Sequence, residues 1–269
     1  MARTRVLVRP LTALSAGLLL ISGCGSGAAS ENTASGTSDK AGSGPVVVAT
    51  TAWEAALAKA AGAKNVTSIV PAGIRHAPDY DVKPSDLTKV AKADYVLYSP
   101  FEPFAGRIKE AAGSEAKMIE LNLDNTPSKT TANVTRLGKA FGTQKAAGRW
   151  NTTFGKEWES LHKKVKAAWP GGKAPAVTAQ MFTTWAAKLA GAQMVGTYGP
   201  EAVAPAQLSK LSAKKPKFVL DNENMSTGTV LPGSGAKQLS IANYPGQDLD
   251  LLAVYRKAAQ QMEKAFDGS

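Results

Sequence analysis

The chain has 269 residues, 43% hydrophobic and 20% charged, with 32 Lys and Arg against 21 Asp and Glu for a formal net charge of +11. One cysteine and two histidines exclude an internal disulfide, a Cys-rich metal or iron–sulfur site and a three-histidine zinc centre. The length suits one large or two small globular domains.

Residues 1–23 carry Arg3, Arg5 and Arg9 with no acid, then an apolar run from Leu11 to Ile21 and the small residues Ser22-Gly23 before Cys24. That order is an export signal, and its apolar run is too short to span a bilayer. The tetrad Ile21-Ser22-Gly23-Cys24 resembles a bacterial lipobox, in which cleavage leaves Cys24 as the lipid-modified first residue. Loss of the three arginines lowers the net charge from +11 to +8. Residues 24–44 are mostly Gly, Ser, Ala and Thr and read as a flexible, lipid-anchored tether. The expected location is the outer face of a bacterial cell membrane.

Pro45–Ala49 is a continuous β-branched run, the pattern of a strand buried on both faces. A helix at Trp53–Ala61 leads to a strand at Val66–Val70, a helix at Pro84–Ala93 to a strand at Tyr95–Tyr98, and a helix at Phe104–Ala112 to a strand at Met118–Leu121. Short apolar strands alternating with amphipathic stretches predict βαβ units and a parallel sheet. The rhythm returns at Ala176–Ala179, Met194–Thr197, Phe218–Leu220 and Leu239–Ala242, closed by a helix from Leu249 to Phe266.

Between the two halves, residues 131–169 form the longest helical pattern, with Val134, Leu137, Phe141, Phe154, Trp158, Leu161, Val165 and Trp169 on an apolar stripe. Pro170-Gly171-Gly172 ends it. Four glycines inside it each cost about 1 kcal/mol against alanine, but no turn cluster interrupts it. The expected architecture is α/β: an N-terminal lobe (45–130), one long linking helix (131–169) and a C-terminal lobe (170–269), each lobe with a mainly parallel sheet.

Enzyme chemistry has little support, because the sequence contains no Gly-x-Ser-x-Gly elbow, no Walker-type phosphate loop and no Gly-x-Gly-x-x-Gly after a strand. His162, beside Lys163 and Lys164 and off the apolar stripe, reads as exposed and structural. The basic excess lies on helix faces without interleaved aromatics, which argues against nucleic acid and suits anionic lipid head groups better.

Four segments in order carry a resemblance: Ser68-Ile69-Val70-Pro71-Ala72-Gly73, Asp79-Tyr80-Asp81-Val82-Lys83-Pro84-Ser85-Asp86-Leu87, Ala93-Asp94-Tyr95-Val96-Leu97-Tyr98 and Phe101-Glu102-Pro103-Phe104. Together they resemble the solute-binding lipoproteins of zinc and manganese ABC importers. The match is fainter in the second half, at Gln180 to Gly191, Phe218 to Glu223 and Asn243-Tyr244-Pro245-Gly246. The resemblance implies two α/β lobes and a linking helix, with the solute held between the lobes. It further implies delivery to an ABC permease and its ATPase subunit, by a monomer with no catalytic cofactor. Ligands of open α/β sheets sit outside the carboxyl ends of the strands, here the loops at 50–53, 73–81, 99–102, 180–185, 221–224 and 243–247.

The family holds its cation with histidines and carboxylates, and this chain departs from that set. Pro78 stands at the first ligand position, with His76 two residues earlier in the same loop. The third position falls on Gln180 and the final carboxylate on Asn243. Amide carbonyls are neutral, hard donors that hold Zn²⁺ poorly. The candidate metal ligands are His76, Gln180, Asn243 and Glu223; Trp53, Asp79, Glu102, Met181 and Asp221 are further cleft candidates. The transported ligand implied is a divalent cation, zinc or manganese. Two alternatives stay open: the same role for a small polar or organic solute held by Gln180, Asn243 and cleft aromatics, and a surface interaction protein that has lost transport.

Overall fold

The computed structural model describes residues 44–72, 74 and 76–268. The signal segment, Cys24 and all of the tether except Gly44 lie outside the described residues. The chain runs β1 (Val46–Ala49), α1 (Ala52–Ala60), β2 (Asn65–Ser68), α2 (Pro84–Ala91), β3 (Tyr95–Tyr98), α3 (Ala105–Ala112) and β4 (Lys117–Glu120). After α4 (Pro127–Phe141) and α5 (Gln144–Ala167) come β5 (Ala176–Gln180), α6 (Thr184–Ala190), β6 (Gln193–Tyr198), α7 (Pro205–Ala213), β7 (Phe218–Asn222), β8 (Lys237–Ile241) and α8 (Leu251–Asp267). Two parallel sheets result, ordered β2-β1-β3-β4 and β6-β5-β7-β8. The expected α/β class is the observed one, and the two halves repeat one strand order. Among the described residues no helix is long and apolar enough to cross a membrane.

The continuous apolar runs follow from burial on both sheet faces. In β1, Val47 and Ala49 face one core while Val48 faces another; in β7, Phe218 and Leu220 join the first core and Val219 a third, with Leu211, Val230 and Leu231. Period-two alternation therefore separates two apolar environments rather than core from water. The first core is common to both halves, running from Val47 of β1 through Leu137, Phe154 and Tyr255 to Val177 of β5 and Phe218 of β7.

The long helical pattern is realised as two helices. Gly142 ends α4 in the left-handed region at φ 72°, its N–H returned to carbonyls of the last turn, and Gln144 starts α5. Glycine adopts that conformation without a Cβ clash, so it terminates a helix instead of merely weakening it. The hairpin it makes is tight. A Cβ on Gly138 would stand 2.5 Å from the Cβ of Ala147, and the Thr143 hydroxyl donates to the Ala61 carbonyl at the end of α1. The 24 residues of α5, about 36 Å long, then pack on α6 and α8 of the second half. His162 is half-buried rather than exposed, its Nδ1 2.8 Å from the Leu189 carbonyl.

Gly138→Ala tests the hairpin. Elsewhere in a helix this change gains roughly 1 kcal/mol; here the methyl group meets Ala147, and a net loss of about 1–3 kcal/mol is expected. Urea unfolding should show that loss and its recovery in the Gly138→Ala, Ala147→Gly double variant.

Candidate binding cleft

The carboxyl ends of both sheets face a common cleft. A cavity of about 430 Å³ is lined from the first half by Thr51, Trp53, His76, Glu102 and Phe104, and from the second by Phe182, Glu201, Met225, Asn243 and Tyr244. A second cavity of about 460 Å³ shares Phe101, Leu123, Asn125 and Phe182 with the first and continues over Met181 and Trp185. Phe101 and Phe182, one from each half, form the wall common to both, with ring centroids 5.8 Å apart.

The first half contributes a pair of buried carboxyl groups. Glu54 lies in the first turn of α1 because Thr51-Ala52-Trp53-Glu54 is a capping box, in which Thr51 caps the helix and the Glu54 carboxylate accepts the Thr51 N–H at 3.2 Å. Its Oε2 also accepts the Thr51 hydroxyl, and its Oε1 accepts the Ser99 hydroxyl at 2.8 Å. Glu54 is fully buried, and that burial raises its pKa against the hydrogen bonds from Thr51 and Ser99.

Glu102 is 5% exposed and accepts the Ser99 N–H at 3.1 Å through Oε2. Its Oε1 is buried without a hydrogen bond of ordinary geometry. Burial first, and then the negative charge of Glu54, push its pKa up to about 9, with the nearby Thr50 hydroxyl and the Ser99 N–H acting in the opposite sense. The Tyr244 hydroxyl is pushed up by burial and by both carboxylates. Three acidic groups thus cluster at one end of the cavity.

The sequence-predicted residues divide into two sets. His76, Glu102, Trp53 and Asn243 line the first cavity. His76 Nδ1 pairs with Asp79 Oδ1 at 2.8 Å, while Asp79 is largely exposed and not among the lining residues. Asn243 bridges the halves: its backbone oxygen accepts the Trp53 indole N–H and its Oδ1 accepts the Trp185 indole N–H at 3.0 Å.

The other set points elsewhere. Gln180 is fully buried and caps the 3-10 turn at Met181–Thr183, its Oε1 accepting the Phe182 N–H at 2.8 Å. Asp221 accepts from Tyr198 at 2.7 Å, Ser226 at 2.5 Å and Gln238 at 3.1 Å within the second half. Glu223 pairs with Lys257 of α8 at 3.0 Å. Met181 reaches only the second cavity. The structure does not bring His76, Gln180, Asn243 and Glu223 together, and among the described residues no three His, Cys, Asp or Glu side chains are grouped as a metal would require.

Sequence reading missed Glu54 and Glu201. The capping-box spacing could have singled out Glu54, since an acid at that position of a buried α1 is necessarily buried too. Glu201, in the loop after β6, carries no comparable signal.

No protein-family model matches the sequence, and no curated protein matches it. Solved structures do match in fold. The laminin-binding protein Lmb of Streptococcus agalactiae, a bifunctional protein with adhesin and metal-transporting activity, superposes with a TM-score of 0.60 at 17% identity, over 81% of this chain and 100% of that one. The SBP FpvC of Pseudomonas aeruginosa in complex with Ni²⁺ gives 0.62 at 17% identity over 84% of this chain and 96% of that one. The Zn(II)-bound ZnuA-like domain of AdcA from Streptococcus pneumoniae gives 0.55 at 16% identity over 84% and 100%. This chain has the two-lobed fold of those proteins.

The buried carboxyl groups predict a pH dependence of stability. Glu102 is protonated in both folded and unfolded chains at low pH. Above the ordinary carboxyl pKa of 4.5 only the unfolded chain ionises, until pH passes about 9. Stability contributed by Glu102 is therefore complete at acid pH and declines as pH rises through that window. Thermal melts should show Glu102→Gln near wild type at about pH 5 and several degrees more stable at about pH 8.

Proposed function

We propose that this chain is the extracytoplasmic solute-binding subunit of an ABC importer, lipid-anchored through Cys24 on the outer face of a bacterial cell membrane. It takes a cationic solute into the cleft and hands it to a permease driven by an ATPase subunit, without making or breaking a bond and as a monomer. The observation that carries this reading is the cavity at the carboxyl ends of both parallel sheets, closed by residues of both halves, with Glu102 and Glu201 in its wall. Clefts at that place in open α/β sheets are where ligands bind.

A divalent transition metal is the first candidate cargo, zinc or manganese by the sequence resemblance. The likeness to structures holding Ni²⁺ and Zn(II) supports that choice. His76 would supply its one imidazole, with Glu102 or Glu201 as carboxylate. A small organic solute is the second reading. It is favoured by the aromatic wall of Trp53, Phe101, Phe104, Phe182 and Tyr244 and by a volume far beyond that of a bare ion.

Titration calorimetry of the chain with Zn²⁺, Mn²⁺ and Ni²⁺ separates the two. The metal reading expects saturable 1:1 heat that weakens about tenfold, roughly 1.4 kcal/mol, in His76→Ala. Absence of heat and of thermal stabilisation with all three metals removes it.

A further inference from the structure

We propose that the end of the second half that points away from the cleft, where ten lysines gather, is a docking surface for an anionic lipid bilayer. The choice of a bilayer as occupant rests on the membrane location proposed above; the charged surface itself does not.

The topology gathers the lysines. In a parallel α/β unit each helix returns the chain to the amino end of the sheet, so helix ends and strand starts share one face. Lys164 and Lys166 stand in the last turn of α5, Lys188 in that of α6, Lys210 in that of α7 and Lys264 in that of α8. Lys173, Lys214, Lys215 and Lys217 lie in the segments that lead into β5 and β7, and Lys237 begins β8. Hydrogen bonds tie these segments edge to edge. The Lys217 N–H donates to the Ala176 carbonyl at 2.8 Å and the Lys237 N–H to the Lys217 carbonyl at 3.0 Å. The Trp169 indole donates to Ala190 at the end of α6, and Lys237 Nζ to Ala265 near the end of α8. All ten lysines are exposed, and among the described residues none of them is ion-paired.

Helix ends alone do not explain the concentration. Helix C-termini favour cations, which accounts for the five lysines in last turns and leaves the five in the connections. From the last turn of each helix to the start of the next strand, Asp267 is the one acid against ten lysines, so this end carries +9. That exceeds the +8 of the whole chain after loss of the signal, and the remainder is close to neutral. The corresponding end of the first half differs, because Asp94, Glu110 and Glu115 are interspersed with its lysines.

The chemistry of the surface selects its occupant. Lysines are compact point charges on flexible stems, without the planar fork by which arginine grips a single phosphate. Trp169, the aromatic side chain beside them, has Lys166 Nζ over its ring at 5.0 Å and its indole bonded to Ala190, so it is engaged rather than presented for base stacking. Charge spread over the ends of four helices matches an extended negative plane, the headgroup layer of anionic lipids. Chain length permits the contact. Residues 24–44 reach at most about 70 Å and join the fold at Val46, at the amino end of β1. Helix α5, about 36 Å long, runs from beside the end of α1 to the start of β5. A bilayer holding Cys24 is therefore within reach of the lysines.

Co-sedimentation with lipid vesicles tests the assignment, using the chain from residue 24 onward with Cys24→Ser so that no lipid is attached. Binding is expected to vesicles of equal parts phosphatidylglycerol and phosphatidylcholine at about 0.1 M salt, lost at about 0.5 M, and at least about tenfold weaker to phosphatidylcholine alone. Lys210→Gln, Lys214→Gln, Lys215→Gln and Lys217→Gln together should weaken it at least about tenfold. Lys64→Gln, Lys92→Gln, Lys117→Gln and Lys139→Gln, the same change in net charge at the end of the first half, should cost less than about threefold. All eight positions are exposed, and thermal melts check that both variants are folded. Equal losses in the two variants overturn the proposal. So does equal binding to both kinds of vesicle, no binding to the anionic ones at millimolar lipid, or tighter binding to duplex DNA at equal phosphate. The lipid anchor and the importer role are tested apart from this, by release of the Cys24→Ser chain from cells and by the metal titrations, and the vesicle result is independent of both.

Discussion

Tyr255 stands where the two halves of the molecule must agree on a distance. It projects from α8 of the second half, and its ring meets Trp185 of α6 at 4.9 Å, Phe154 and Trp158 of α5 at 5.1 and 5.8 Å, and Trp53 of α1 at 6.4 Å. Its buried hydroxyl donates to the Asn125 carbonyl at 3.0 Å and shares a bond with Thr130 at 3.1 Å, both ahead of α5. Aromatic pairs of this kind contribute about 0.5–1.5 kcal/mol each beyond area burial, and the hydroxyl bonds orient the ring. Asn243 adds a second tie, accepting an indole N–H from each half. The cleft lies immediately above these contacts, so its width is set by packing.

A cleft held this way changes the energetics of capture. Contacts that fix the two halves in one arrangement reduce the ordering cost of binding. Glu54 is committed to capping α1 and Glu102 to the Ser99 turn, and among the described residues both are buried with no Lys or Arg hydrogen-bonded to them. The N-terminus of α1 offers partial positive charge to Glu54. Glu102 lies three residues ahead of α3, and burial together with the negative charge of Glu54 raises its pKa.

All eight strands lie within about two residues of where the sequence pattern predicts them; the central strands β1, β3, β5 and β7 are covered on both faces and leave continuous apolar runs, whereas the edge strands β2, β4, β6 and β8 are partly exposed. Helix boundaries were harder. Gly142 counts only as a weak helix former until the backbone shows it at positive φ, and no local pattern distinguishes a glycine that ends a helix from one that tolerates it. Helix α6 was hidden because its residues are buried nearly all round, so Trp185 and Leu189 show no amphipathic stripe. The site was legible in its loops and not in its side chains. A loop at the end of a strand can be located from periodicity, but whether Gln180 turns to the cleft or caps its own turn depends on a contact made three-dimensionally.

That distinction bears on what a shared fold transmits. Strand order, the α4–α5 hairpin and the aromatic tie build a scaffold whose cleft position is set by topology. The positions that the resemblance assigns to ligands have taken structural duties: Gln180 caps a turn and Asn243 joins the two halves. Cleft position is thus a property of the scaffold, while the choice of cargo rests with the side chains that line the cavity, among them His76, Glu102, Glu201 and Phe182.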